Sequence, residues 1–228
     1  MVNNLTIYEE LEQGTDEWIA ARCGILTASQ VGKLITATGK VADNETSRGL
    51  TETLVAERLT GHVDLIHPTF EMQRGSLDES YARDLYREQH APVEEIGLAT
   101  NTFNGHTLGA SPDGLVSDNG GLEIKSPKAK IHLRTILAGE VPTEHLPQIQ
   151  ACMLVLERDW WDFESYAGGW PIYVKRVYAD KQWQTVILEA LDRFEENAAR
   201  MIDAYKTAVG DAPVAPRIDH FAEMEIAL

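Results

Sequence analysis

Cysteine is scarce: Cys23 and Cys152 are the only two in 228 residues. Two thiols make neither a disulfide framework nor a zinc-ligand cluster, so the chain reads as a protein of a reducing compartment, the cytoplasm. Long apolar runs are missing as well. The longest, Ala151–Leu156, is far below the ~18 residues of a membrane span. No basic stretch followed by an apolar one opens the chain, so its first residues do not read as a secretory signal. The seven histidines are scattered without metal-ligand spacing. Bases are outnumbered, 20 against 36 acids, for a net charge of −16. That balance argues against a nucleic-acid partner, because cations are what displace counterions from phosphate. One stretch reverses it. Ile124 to Gly139 holds no acid and carries Lys125, Lys128, Lys130 and Arg134. An acidic exterior around one basic lining would focus a polyanion to a single place; a solvated basic face is the plainer reading.

The remaining pattern reads as one α/β or α+β domain over residues 1–209, with 210–228 as a surface tail that contains Pro213 and Pro216. Helices are expected at Thr27–Ile35, at Ser47–Leu59 with a stop at Gly61, and at Gly75–Gln89. Two more are expected, one from a Thr143 cap to Leu156 with Pro147 in its first turn, and one at Lys181–Val209. In Gly75–Gln89, Leu77, Tyr81 and Leu85 make one apolar face and Gly75, Glu79, Ala82 and Tyr86 a second. That predicts a helix buried on both sides. Strands are expected near Glu94–Leu98, Thr107–Ala110, Gly114–Ser117, Leu122–Lys125, Trp160–Tyr166 and Ile172–Val177. The pair Trp160-Trp161 reads as core or interface.

Chemistry concentrates in Ser111-Pro112-Asp113-Gly114 and Leu122-Glu123-Ile124-Lys125, with the turn signal Asp118-Asn119-Gly120-Gly121 between them. Strand alternation puts Glu123 and Lys125 on one face. The turn decides whether Asp113 joins them. A two-residue turn at Asn119-Gly120 sends Asp113 to the other face, and a three-residue turn at Asn119-Gly120-Gly121 brings all three together. Two carboxylates and an ammonium so placed suit a magnesium site for phosphodiester hydrolysis, with the Ile124 carbonyl as a further oxygen. Burial lowers a lysine pKa and adjacent carboxylates oppose that, so Lys125 is not assigned as the base. The same Glu-x-Lys is also common on exposed strands, where it is an ion pair of little worth.

Other segments extend the pattern: Glu12-Gln13-Gly14 with Trp18 and Arg22, Ile25-Leu26-Thr27-Ala28-Ser29, Gly75 with Glu79, and Gln148-Ile149-Gln150. In this order and spacing the chain resembles the lambda-type phage alkaline exonucleases, the viral recombinase nucleases. The resemblance implies a restriction-endonuclease-like core, a central mixed sheet flanked by helices. It implies Mg²⁺-dependent removal of 5′-mononucleotides from linear duplex DNA in the 5′-to-3′ direction, with Mn²⁺ as the expected substitute. A 3′ single strand would be left for an annealing recombinase. A ring-shaped homotrimer around DNA is implied too, in a phage or prophage protein working in the cytoplasm of a bacterial host. By the same resemblance Asp113 and Glu123 are metal ligands, Ile124 a carbonyl ligand, Lys125 the catalytic lysine and Glu79 a helix-borne acid. Arg22, Ser29, Ser111 and Gln148 would receive the 5′ phosphate, and Lys128, Lys130 and Arg134 are expected to contact DNA. The loop Thr36–Thr46 departs from the family in length, and Val63–Met72 does not align; Met72 is the candidate for separating strands. Competing readings are a restriction-type endonuclease on the same core, without a terminal-phosphate pocket, and a non-catalytic acidic DNA mimic or scaffold.

Overall fold

The computed structural model describes residues 4–64 and 69–218. In chain order its elements are β1 (Thr6–Tyr8), α1 (Asp16–Arg22), β2 (Leu26–Thr27), α2 (Ala28–Val31), α3 (Glu45–Thr60), α4 (Phe70–Gln89), β3 (Leu98–Phe103), β4 (His106–Ala110), β5 (Gly114–Val116), β6 (Gly120–Lys125), α5 (Ala129–Ala138), α6 (Leu146–Leu156), β7 (Trp160–Ser165), β8 (Tyr173–Tyr178) and α7 (Lys181–Val209). Short 3₁₀ turns cover Gly32–Leu34 and Thr143–His145. The strands form two four-stranded mixed sheets, ordered β1-β3-β4-β2 and β5-β6-β7-β8, and so divide the single sheet that was expected. Within them β2–β4 and β6–β7 are parallel and the other pairs antiparallel. Among the described residues no helix is long and apolar enough to cross a membrane. Residues 211–218 follow α7 without regular structure and are exposed; the rest of the expected tail lies outside the described residues, as do residues 65–68 of the segment Val63–Met72.

β6 is the strand that matters most for the site. It is flanked on both edges and buried from Gly120 to Ile124, because both of its faces are covered. Leu122 and Ile124 pack with Val116 and with Ala82 and Tyr86 of α4. Register places Gly121 beside Trp161 and Glu123 beside Phe163, and those two aromatic side chains belong to the main core with Ile149, Cys152 and Met153 of α6. A strand covered twice by apolar side chains holds its residues in one register, since a slip by one would exchange the two faces.

Several elements differ from the sequence reading, each for a local reason. The β5–β6 pairing joins Gly114 to Leu122 and Val116 to Gly120, so the loop is Ser117-Asp118-Asn119, with Ser117 at φ 52°. Gly120 and Gly121 are not turn residues. They lie in β6 because the Trp160 and Trp161 rings cover them, and a Cβ on Gly121 would stand 2.3 Å from the Trp161 ring. The displacement is by two residues, an even number, so Asp113 keeps the face that the three-residue turn predicted. α4 starts earlier than Gly75, on Thr69, whose hydroxyl accepts from the Met72 amide at 3.2 Å. Only one of its faces is buried: Leu77 and Tyr81 are 71% and 66% exposed. The helix has one sheet beneath it and no second layer above among the described residues. Thr143 makes no cap; it begins a 3₁₀ turn, and α6 carries Pro147 in its first turn. The strand expected at Glu94–Leu98 is reduced to a bridge between Glu94 and Leu115, and β3 begins at Leu98. Gly97 sits where a Cβ would be 1.7 Å from the Leu11 carbonyl oxygen, so that segment is set by close backbone packing.

The fit of Trp161 over Gly121 is testable. Gly121→Ala forces either the buried ring or the strand to move, and overpacking of this kind costs ~1–3 kcal/mol. A lowered urea midpoint is expected; an unchanged midpoint would show that the ring has room to shift.

Candidate active site

Asp113 stands at the entrance to β5, where Pro112 precedes it and the strand turns inward. Its Oδ2 accepts a 2.6 Å hydrogen bond from the Ile124 amide, which locks the carboxylate against β6. Glu123 and Lys125 lie on one face of that strand, and Lys125 Nζ is 2.5 Å from Glu123 Oε1. Glu123 is fully buried, and neither of its oxygens has a well-aligned hydrogen-bond donor. Glu79 reaches the same region from α4. Between Glu79 and Asp113 lies Arg83, a residue the sequence reading passed over. Its guanidinium pairs with Glu79, sits 2.5 Å from Glu95 and donates to the Asp113 carbonyl at 2.8 Å. Its position four residues after Glu79 was the available signal, the spacing of a helical ion pair.

The electrostatics follow from burial. Desolvation raises the Asp113 pKa, against the opposing pull of Lys125, the Ile124 amide and Arg83. Glu123 and Glu79 are both pushed up to about 7, chiefly by burial, with Asp113 adding to each. Burial alone would lower the Lys125 pKa, but Glu123 and Asp113 more than offset it, so the ammonium stays charged. Three acids that resist ionising beside one fixed cation form a field that a further positive ion would relieve. Asp113, Glu123 and the carbonyl of Ile124 are hard oxygen donors for such an ion. Among the described residues no three His, Cys, Asp or Glu side chains converge as a ready-made ligand cage. That donor set suits a cation that completes its shell with water, as Mg²⁺ does.

The four residues expected at a 5′ phosphate come together in one cavity. Arg22, Ser29, Ser111 and Gln148 line a space of about 150 Å³ with Gln13, Trp18, Thr27 and Ala28. Arg22 lies over the Trp18 ring, 3.9 Å from its centroid, and donates to Thr27 Oγ1 at 3.3 Å. Its Nε is buried without a partner, and burial lowers its pKa. The Trp18 indole donates to the Gly97 carbonyl at 2.9 Å and to Ser111 Oγ at 3.1 Å, which fixes the wall. A half-buried guanidinium with an unused buried donor, beside hydroxyls and an amide, suits a compact oxyanion.

Of the basic run, Lys125 belongs to β6 and the acidic centre, whereas Lys128, Lys130 and Arg134 are exposed on α5 and the turn before it. Lys128 is engaged by Glu71 at 2.6 Å, whereas no carboxylate among the described residues pairs with Lys130 or Arg134. Met72 is half-exposed on α4. Trp161 is core, as its sequence context suggested, and Trp160 carries Arg176 over its ring at 3.5 Å from the centroid.

Glu164, also missed in the sequence, is the next acid inward. It pairs in register with Ile124, is fully buried and has no hydrogen-bond partner for either oxygen. Burial, with Asp113 adding, pushes its pKa to about 8. An unfolded glutamate ionises at about 4.3, so across pH ~5–8 the unfolded chain releases a proton that the fold retains, and stability falls as pH rises. Glu164→Gln removes this loss. In EDTA, its stability advantage should grow by roughly 2–4 kcal/mol across that window in urea titrations. A pH-independent difference would mean that the carboxyl is ionised in the fold.

The family and the fold are shared with known proteins. The profile of the YqaJ-like viral recombinase domain matches residues 17–159. The crystal structure of an alkaline exonuclease from Laribacter hongkongensis matches with 32% identity and a TM-score of 0.77, covering 87% of this chain and 100% of that one. The same relative in complex with dAMP matches equally well. A phage-related exonuclease from Haemophilus somnus 129PT shares the fold at a TM-score of 0.59 and 13% identity, covering 79% of this chain and 96% of that one. Curated protein sequences gave no significant match. The motifs, the restriction-endonuclease-like sheets and these matches converge on one assignment: the chain is a nuclease of the YqaJ-like viral recombinase family, the group of the lambda-type alkaline exonucleases.

Proposed function

We propose that the protein is a Mg²⁺-dependent 5′-to-3′ exonuclease of linear double-stranded DNA that releases 5′-mononucleotides. The observation that carries this reading is a spacing. Ser111 lines the oxyanion cavity and Asp113 belongs to the acidic centre, with only Pro112 between them. Two residues of extended chain span at most ~7 Å, a distance comparable with that between neighbouring phosphates of one strand. A terminal phosphate in the cavity therefore leaves the next phosphodiester at the acids. An endonuclease has no use for such a terminal cavity, and an acidic DNA mimic has no use for either feature. The dAMP bound to the Laribacter relative supports a mononucleotide product.

Asp113, Glu123 and the Ile124 carbonyl would hold the cation, with Mn²⁺ able to replace Mg²⁺. When bound there, the cation acidifies a water and offsets charge developing on the phosphate. Lys125 holds a permanent positive charge beside that phosphate and keeps Glu123 in place. Arg22 takes the terminal phosphate through its paired donors, with Ser29, Ser111 and Gln148 completing the hydrogen bonds. A terminal phosphate carries more charge than an internal diester, so the cavity draws the shortened strand forward after each cut. Lys130 and Arg134 are free to contact the duplex. A homotrimer would gather three such basic helices around one DNA and leave acidic surface outside. The 3′ strand would pass to an annealing recombinase of a phage or prophage in the bacterial cytoplasm.

End-labelled linear duplex with Mg²⁺ tests the reading. Progressive shortening from the 5′ end, with closed circles untouched, is expected. Asp113→Asn should abolish it while duplex binding in Ca²⁺ survives, and full activity in excess EDTA would defeat the metal assignment. Arg22→Ala should slow 5′-phosphoryl ends severely, on the order of 10²-fold, and spare the weaker activity on 5′-hydroxyl ends. An equal loss on both ends would make Arg22 a structural residue.

A further inference from the structure

We infer that His145 is a substrate contact of the nuclease, donating from its imidazole to the phosphodiester being cut. This rests on the nuclease reading above. His145 ends the 3₁₀ turn that leads into α6, three residues before Gln148, and residues so spaced share a helix face. Gln148 lines the oxyanion cavity. The His145 ring stacks on Phe163, with centroids 5.4 Å apart and planes at 21°. Phe163 is the register partner of Glu123 on β7, so the imidazole lies over the face that carries Glu123 and Lys125. One short helical stretch thus reaches both the cavity and the acidic centre.

Its chemistry suits that place. Among the described residues no protein group hydrogen-bonds either ring nitrogen. The contrast is His132 on α5, whose nitrogens are both used, one with the Ser165 hydroxyl at 2.8 Å and one with the Pro171 carbonyl at 3.1 Å. Burial and the nearby Lys125 charge lower the His145 pKa to about 4. The ring is therefore neutral near pH 7, with one N–H to donate and one bare nitrogen. A neutral donor adds a hydrogen bond to the phosphate without repelling Lys125 or the cation that the acids would hold. Stacking on Phe163 fixes the ring before substrate arrives, so little order is lost on binding.

The test separates the nitrogen from the ring. His145→Phe keeps the stack and removes both nitrogens; His145→Gln returns a donor without the stack. On linear duplex with Mg²⁺, His145→Phe should lower kcat on the order of 10²-fold, equally on 5′-phosphoryl and 5′-hydroxyl ends, with KM little changed. His145→Gln should recover part of that loss, and thermal midpoints should show both variants folded. Wild-type kcat in His145→Phe would overturn the inference while leaving the nuclease reading intact. A loss confined to 5′-phosphoryl ends would overturn it too, by moving His145 into the terminal cavity. A wild-type protein that cuts no DNA would bring down the reading and the inference together.

Discussion

Glu123 sits in the middle of a sheet with no exposure at all, and much of the surrounding structure answers the cost of taking that carboxylate out of water. An isolated buried charge is expensive, and the usual responses are to pair it or to protonate it. Both occur here. Lys125 lies against one oxygen, and burial raises the acid's pKa toward neutrality. Asp113 finds the Ile124 amide, and Glu79 finds Arg83, which also holds the Asp113 carbonyl. The compensation is incomplete, since Glu123 lacks a well-aligned donor at either oxygen and Glu164 lies unpaired behind Ile124. A fold optimised for stability alone would have placed apolar side chains at these positions. Four of the buried oxygens left without partners belong to the neighbouring Glu123 and Glu164, and such a concentration of uncompensated acid is the pattern of a site kept for chemistry.

The acidic balance of the chain looks different once the bases are located. Many arginines are occupied with acids: Arg58 with Glu195, Arg74 with Asp78, Arg83 with Glu79 and Glu95, and Arg176 with Asp162. Those pairs brace α4 or tie neighbouring elements, and they contribute little to binding a polyanion. The cations left without carboxylate partners include Lys130 and Arg134, both on α5, one short turn after Lys125. Net charge measured this demand poorly, because attraction to a duplex depends on the field at the contact and salt screens the rest over ~10 Å. An acidic exterior also discourages DNA from lying anywhere else.

How far the site could be read from the sequence depended on which residues speak through local pattern. Glu123 and Lys125 share a face by strand alternation alone, and Lys181–Val209 shows its helix in full. Asp113 was harder. The sequence left two turns open, and the glycines that favoured one of them proved to serve Trp160 and Trp161 instead. The face came out as the three-residue turn predicted because the displacement was even. The cavity residues Arg22, Ser29, Ser111 and Gln148 come from four separate segments, and no periodicity joins them; only resemblance suggested the set. Arg83, Glu164 and His145 were missed for a common reason. Each is an ordinary polar residue in sequence, and its meaning lies in what meets it in space: the Asp113 carbonyl for Arg83, the lack of any partner for Glu164, and the Phe163 ring for His145. The two apolar faces of α4 show the opposite error, since periodicity says that a face is apolar and cannot say whether anything covers it.

The distance between the cavity and the acids is held by more than chain length. Gln13 donates to the Pro112 carbonyl at 3.0 Å and to the Ile96 carbonyl at 3.3 Å, tying the linking residue to the segment before β3. Trp18 pins Ser111 from one side and the Ile124 amide pins Asp113 from the other. Proline fixes φ at the one residue left between them. The connection therefore acts as a rigid spacer. Under the proposed exonuclease reading, such a spacer would measure each cut from the same point. On the far side, α6 carries Gln148 and follows directly on His145, and its apolar body is buried against both sheets. Cavity and acids are thus joined twice, once by the tripeptide Ser111-Pro112-Asp113 and once by the turn that runs from His145 to Gln148. Two short links of different geometry resist shear better than one, and so the core that buries Glu123 also holds the cavity at a fixed distance from the acids.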